Sequence, residues 1–252
     1  MKQNKKILAK TTHIILYKMS KCRVTVEYGS KPYILIAPHG YQGDDFNTAL
    51  ICERTASVLD CYSIINYGWK KTNHVDVSAD CANCNNYSHM IDVVKDEFLY
   101  PILRTANSCV KRHGTCVVIW IHGVSNYVRK IKKNNDIDMI LGNGSGKLYN
   151  SHTCPKGMKD YLIYNLNKNG IKCFESLPGS NYAGWHEHNM NQLWTRHHIN
   201  PHVHSMQLEI IRDLRDDDTI SMLTSDYLAE SIKNIENFKQ WAKPNFYTIL
   251  KV

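Results

Sequence analysis

Apolar positions along this chain switch repeatedly between runs suited to strands and stripes suited to helices. Cys22–Tyr28 (CRVTVEY) alternates apolar and polar residues, the period of a half-exposed strand. Pro32 then introduces Tyr33–Ala37, a continuous apolar run suited to a central strand covered on both faces. Asp44–Asp60 carries Phe46, Ala49, Leu50, Ala56 and Leu59 at helical spacing and opens with acidic residues suited to a helix N-terminus. Tyr62–Asn66 reads as a short strand. Ser88–Val110 reads as a long helix with Ile91, Val94, Phe98 and Ile102 along one face, kinked or split at Pro101. Cys116–Ile121 is a second wholly apolar strand, ending in His122-Gly123. Ile137–Leu141 is a weaker strand that runs into the Gly-rich stretch Gly142-Asn-Gly-Ser-Gly146. Lys156–Asn167 reads as a helix, Gly170–Phe174 as a strand, and Ser176–His188 as a loop rich in Gly, Asn and His. Val203–Ile211 alternates like a strand, and Ser225–Ala242 closes the pattern as an amphipathic helix stopped by Pro244.

Alternating strands and helices predict the α/β class. The expected architecture is a single domain with a central, mostly parallel or mixed sheet flanked by helices. No linker, repeat or low-complexity stretch divides it. The expected boundaries are a basic, partly ordered N-terminal segment over 1–21 and one domain over 22–252.

Composition narrows the function classes. With 43% hydrophobic and 21% charged residues among 252, the chain is neither disordered nor fibrous. Its longest apolar runs fall far short of the roughly 18 residues a membrane-spanning helix needs, so no membrane partner is expected. The basic start, Met1 to Lys10, lacks the apolar core and small-residue cleavage site of a secretory signal, which predicts a cytoplasmic protein. Lys and Arg number 31 against 23 Asp and Glu, a formal charge of +8. The clusters Lys2, Lys5, Lys6, Lys10, Lys18, Lys21 and Arg129, Lys130, Lys132, Lys133 read as solvated surface. Neither comes with a nucleic-acid motif or interleaved aromatics, so nucleic acid is not the expected partner. A mildly basic protein does concentrate an acidic small molecule or peptide, and that is the partner expected here. Of nine cysteines, Cys52, Cys61, Cys109, Cys116 and Cys173 lie in apolar surroundings and read as small hydrophobes. Cys81-Ala-Asn-Cys84 is the one CxxC, and without a second knuckle or a spaced His pair it does not make a zinc ribbon.

Three polar elements stand where apolar strands end. They are Pro38-His39-Gly40 with Asp44 and Asp45 beyond it, His122-Gly123, and Gln207-Leu208-Glu209 followed by Arg212. Ligands of open α/β sheets gather at the carboxyl ends of strands, so two His-Gly endings on neighbouring strands would face one crevice. Two His and one carboxylate make a common catalytic zinc shell with a position open for water. A carboxylate outside that shell, Glu209, would then move protons, and Arg212 or Arg215 would offer a fork to a substrate carboxylate. Plainer readings stand beside these. Asp44 and Asp45 can cap the following helix, and Arg212 or Arg215 can pair with Glu209 structurally. His186-Glu-His188 and His202-Val-His204 offer rival metal pairs. The stronger readings are a loop-borne substrate contact or, for His204, a part in supporting the site.

As an ordered set, these segments resemble the N-formylglutamate amidohydrolase family and its phage poly-γ-glutamate hydrolase relatives, which share a zinc-carboxypeptidase-like fold. The matching pieces are Ile36-Ala-Pro-His-Gly-Tyr-Gln-Gly-Asp-Asp45, Asn66-Tyr-Gly-Trp-Lys-Lys71, Asp80-Cys-Ala-Asn83, Ile119-Trp-Ile-His-Gly123, Asp138-Met-Ile-Leu-Gly-Asn-Gly144 and Val203-His-Ser-Met-Gln-Leu-Glu-Ile-Ile-Arg212. The resemblance implies one zinc ion held by His39, an acidic residue and His122, with Asp44 preferred by spacing and Asp45 its close rival. It implies Glu209 as general acid/base, and Arg212, Arg215 and Asn83 as substrate contacts. The family's Asp-Leu-Asn-Arg segment survives only as Asp80-Cys-Ala-Asn83, without its arginine, so the implication is weaker for the acyl group than for the fold and metal. The expected activity is zinc-dependent hydrolysis of an amide bond in an N-acylated acidic amino acid or a γ-glutamyl-type peptide. Two rival expectations are a non-catalytic binding or regulatory protein on a degenerate hydrolase fold, which would hold no stoichiometric metal, and a nucleic-acid-associated hydrolase, marked by salt-dependent affinity.

Overall fold

The computed structural model describes residues 23–40, 45–69, 84–132, 136–146, 152–196 and 199–240. The basic segment over 1–21, Asp44, Cys81 and Asn83 lie outside the described residues. The strands are β1 (Val24–Glu27), β2 (Tyr33–Ala37), β3 (Tyr62–Asn66), β4 (Cys116–Val124), β5 (Met139–Gly142), β6 (Cys173–Glu175) and β7 (Val203–Ile211). They form one seven-stranded sheet in the order β1-β3-β2-β4-β7-β5-β6. The central strands β3, β2, β4 and β7 run parallel. At one edge β1 pairs antiparallel with β3, and on the other side β5 turns back antiparallel to β7 with β6 parallel to it. The sheet is therefore mixed, an α/β architecture of the expected class.

The four main helices are α1 (Thr48–Leu59), α2 (Tyr100–His113), α3 (Lys156–Lys168) and α4 (Asp218–Ile232). They explain why the central strands are apolar throughout. Val117, Ile119 and Ile121 of β4 join one core layer with Ile51 of α1, Leu162 of α3 and Leu228 of α4. Cys116, Val118 and Trp120 face the opposite layer, with Ile102 and Ala106 of α2 and Trp194. Strands covered on both faces lose the polar alternation of an exposed sheet. Because α1 and α2 lie on opposite faces, the chain reverses its winding between β2 and β4, the place where such sheets open a crevice.

Several boundaries differ from the sequence pattern. His122 and Gly123 lie inside β4 rather than after it, since pairing with β7 continues to Val124 and Ile211. Pro101 sits at the start of α2, and the π-helical turn Lys95–Leu99 just before it takes up the break where its N–H is missing. The last helix starts at Asp218 rather than Ser225, because the Asp217 side chain accepts from the Ile220 N–H and caps it there. It stops at Ile232, and Asn234, with φ 65°, separates it from the 3-10 turn Ile235–Gln240. The Gly-rich stretch after β5 is a packed crossing: Gly144 N–H donates to Ala183 O at 2.7 Å, and a side chain at Gly142 would strike the Tyr182 carbonyl. Cys52, Cys61, Cys84, Cys109, Cys116, Cys154 and Cys173 are buried free thiols. No helix among the described residues is long and apolar enough to cross a membrane.

Candidate metal centre

β2 delivers His39 to the carboxyl edge of the sheet, and the fully buried Asn66 at the end of β3 fixes its approach. The Asn66 amide donates to Pro38 O at 2.7 Å and to Trp69 O at 2.6 Å. Gly40 passes so close to β3 that an added Cβ would lie 3.0 Å from Asn66 O, and a larger residue would crowd the turn. His122 comes from β4, the neighbour of β2. Both imidazoles are almost wholly buried, at 4% and 3% exposure, with ring centroids 5.2 Å apart.

Asp45 closes the cluster. Its Oδ2 lies 3.3 Å from His39 Nδ1 and 3.6 Å from His122 Nδ1, and accepts the Gly123 N–H at 2.9 Å. The backbone holds the residue in place, with Asp45 N–H donating to His39 O at 3.2 Å and the Thr48 hydroxyl donating to Asp45 O at 2.8 Å. Burial alone would raise the Asp45 pKa. The hydrogen bonds from His122 and His39 outweigh it and hold the carboxyl well below the usual carboxylate range, so the group stays anionic.

These atoms suit a divalent ion. Tetrahedral coordination with bonds of about 2.0–2.2 Å to N and O separates ligand atoms by roughly 3.4 Å, close to the spacings here of 3.3 and 3.6 Å. All three ligand atoms fall within 4.8 Å of one another, the one such His/Cys/Asp/Glu group among the described residues. Two imidazoles and one carboxylate match zinc or a metal of similar preference. Asp45, the close rival by spacing, is the acidic residue that meets the two imidazoles among the described residues, and Asp44 lies outside them.

Glu209 stands beside the cluster. In the parallel β4–β7 pair its register partner is His122, so the two side chains emerge on the same face of the sheet. Glu209 is partly exposed and accepts from Gln207 Nε2 at 3.2 Å, while the same amide donates to Tyr182 O at 3.0 Å. Gln207, 1% exposed, thus orients the carboxylate from two residues back on the same strand face. The sequence holds that signal in Gln-Leu-Glu, but Gln207 was assigned no role there. Tyr182 leans over the same region, its phenol pKa raised by burial and then by the Glu209 charge.

The two candidate arginines are placed differently from each other. Arg215 is buried, with its nitrogens donating to the main-chain carbonyls of Ile210, Phe46 and Val124. Arg212 is half-exposed, pairs with Asp216 at 2.8 Å and stacks 4.2 Å over the Phe46 ring. The rival histidine pairs lie elsewhere. His204 is level with Val117, at the amino end of β7, five residues from Glu209 and on the opposite face, which removes it from a supporting part in the site. His186 is exposed and His188 partly so, with rings 5.9 Å apart, and His188 pairs with Glu187 at 3.2 Å.

Comparison of the sequence with protein-family models and with curated proteins finds no match. In structure the chain is similar to N-formylglutamate amidohydrolase from Ralstonia eutropha JMP134, with TM-score 0.59 and 13% identity over 87% of this chain and 99% of that one. It is similar to gene product Atu2144 from Agrobacterium tumefaciens, with TM-score 0.57 and 8% identity over 89% and 98%. A metallo-carboxypeptidase from Burkholderia cenocepacia gives TM-score 0.51 and 11% identity over 90% of this chain and 69% of that one. The fold is the zinc-carboxypeptidase-like one that the ordered motifs resembled.

Proposed function

We propose that this protein is a metal-dependent hydrolase of amide bonds, with zinc held by His39, Asp45 and His122. The observation that supports this reading most strongly is the meeting of those three ligand atoms next to the same-face carboxylate of Glu209. A zinc ion bound there would supply a water of pKa near 7 and polarise a substrate carbonyl. Glu209 accepts a proton from the attacking water and returns it to the leaving nitrogen. Gln207 holds one oxygen of the Glu209 carboxylate, and the Gly123 N–H holds Asp45 so that its charge stays directed at the two imidazoles. The substrate proposed is an N-acylated acidic amino acid or a γ-glutamyl-type peptide, in line with the net positive charge and with the named activity of the Ralstonia protein. Arg212, beside the Phe46 ring, is the cation proposed to meet its carboxylate.

The test is zinc titration of metal-free protein, followed by amine release from N-formylglutamate, N-acetylglutamate, a γ-glutamyl peptide and neutral counterparts of each. Stoichiometric zinc and zinc-dependent cleavage favouring the acidic compounds are expected. Protein that takes up no metal, or that takes it up and cleaves none of the panel, would refute the reading.

A further inference from the structure

Arg215 reaches all three arms of the site from behind. Its Nη1 donates to Phe46 O at 2.7 Å, its Nη2 to Val124 O at 3.2 Å and its Nε to Ile210 O at 3.0 Å. Phe46 follows Asp45, Val124 stands two residues past His122, and Ile210 follows Glu209. The guanidinium lies against Gly123, so close that a Cβ there would collide with Cζ, Nη2 and Nε unless the side chain shifted. That same Gly123 donates its N–H to Asp45. A cation at 5% exposure is costly unless its donors are satisfied. Here they are satisfied by carbonyls of three segments, with Asp45 and Glu209 among the nearby compensating charges.

We infer that Arg215 is a positioning residue: one planar fork that fixes Asp45, His122 and Glu209 relative to one another and thereby sets the affinity for the metal. The inference rests on the metal reading proposed above. It replaces the expected part of Arg215 in binding substrate, because the guanidinium is turned to the main chain rather than to the crevice. The fork also explains why position 123 is glycine within an otherwise bulky strand. A lysine would keep the charge but not the planar, three-way donor geometry.

The test uses the whole chain as wild type, Arg215→Lys and Arg215→Met. Metal-free melting temperature is measured separately from zinc affinity, which is read by chelator competition far below that temperature. Both variants are expected to fold and to bind zinc about 10–100-fold more weakly, the scale for partners that orient metal ligands. Should neither fold, Gly123→Ala serves instead, since its methyl displaces the guanidinium without removing the charge, and the same weakening is expected. A clamp that serves stability alone would lower the melting temperature and leave zinc affinity within about twofold of wild type, and that result overturns the inference while the metal reading stands. Wild type that takes up no zinc overturns the metal reading itself, and this inference with it.

Discussion

His122 on β4 and Glu209 on β7 are register partners in adjacent parallel strands and share one face of the sheet. The proposed metal ligand and the proposed proton carrier are thus held side by side by the hydrogen-bond ladder itself. Glu209→Gln preserves shape and leaves an amide oxygen to accept from Gln207, so the ligands should not move. Zinc affinity is expected to stay within a few-fold of wild type, while turnover falls by about 10²–10⁴. Zinc titration and steady-state hydrolysis, measured on the same preparations, check this. A variant with undiminished turnover would remove Glu209 from the chemistry.

Asp45 and Asp44 are adjacent in sequence, yet they should respond very differently. Asp45→Ala removes the oxygen that faces both imidazoles and accepts from Gly123. Its zinc affinity should fall by more than the roughly 10–100-fold seen when an outer partner is lost. Asp44→Ala should bind zinc like wild type. Chelator competition on the two variants decides which carboxylate is the ligand, and an equal loss in both would reject Asp45 as the single acidic donor.

Much of this arrangement is written in short-range pattern. Tyr33–Ala37, Tyr62–Asn66 and Val203–Ile211 end where their apolar character ends, so these strands were legible to the residue. His39, His122 and Glu209 were legible as candidates because a polar group within or just after a buried apolar strand needs a partner. The choice between Asp44 and Asp45 was not, since it depends on how the loop turns rather than on residue type. The role of Arg215 was hidden for a different cause. Two of its carbonyl partners lie 169 and 91 residues away in the chain, and a carbonyl leaves no mark on the sequence. The early start of α4 was missed because its first turns bury Ser221, Thr224 and Ser225 and leave Ile220, Met222 and Leu223 outward, so no apolar stripe marks the core face there.

Asn66 should prove important out of proportion to its size. Besides donating to Pro38 O and Trp69 O, its Oδ1 accepts the N–H groups of Gly68 and Trp69 at 3.1 and 2.7 Å, all at 0% exposure of the side chain's residue. Asn66→Ala removes these bonds, and of the groups involved the Gly68 N–H keeps Arg23 O as an acceptor at 3.0 Å. A loss of about 2–4 kcal/mol is expected in denaturant unfolding, given about 1–3 kcal/mol for each orphaned group and partial relaxation. Because Pro38 precedes His39, the folded variant should also bind zinc more weakly. A variant with wild-type stability would mean that the turn is held by other contacts.

Away from the metal, His204 should make the fold sensitive to mild acid. Burial lowers its pKa, and the charges of His202 and Lys239 lower it further. In the unfolded chain the same imidazole titrates near about 6.5. Between its folded value and about 6.5 the unfolded state holds the proton and the folded state does not, so stability rises with pH across that interval. The contribution is complete above about pH 6.5, declines as pH falls through the interval, and levels off below the folded value. His204→Gln removes the titration. Urea unfolding of metal-free wild type and variant between pH 5 and 8 should therefore show a shallower loss toward acid in the variant. Parallel curves would show that His204 takes up its proton as readily in the folded protein as in the unfolded chain.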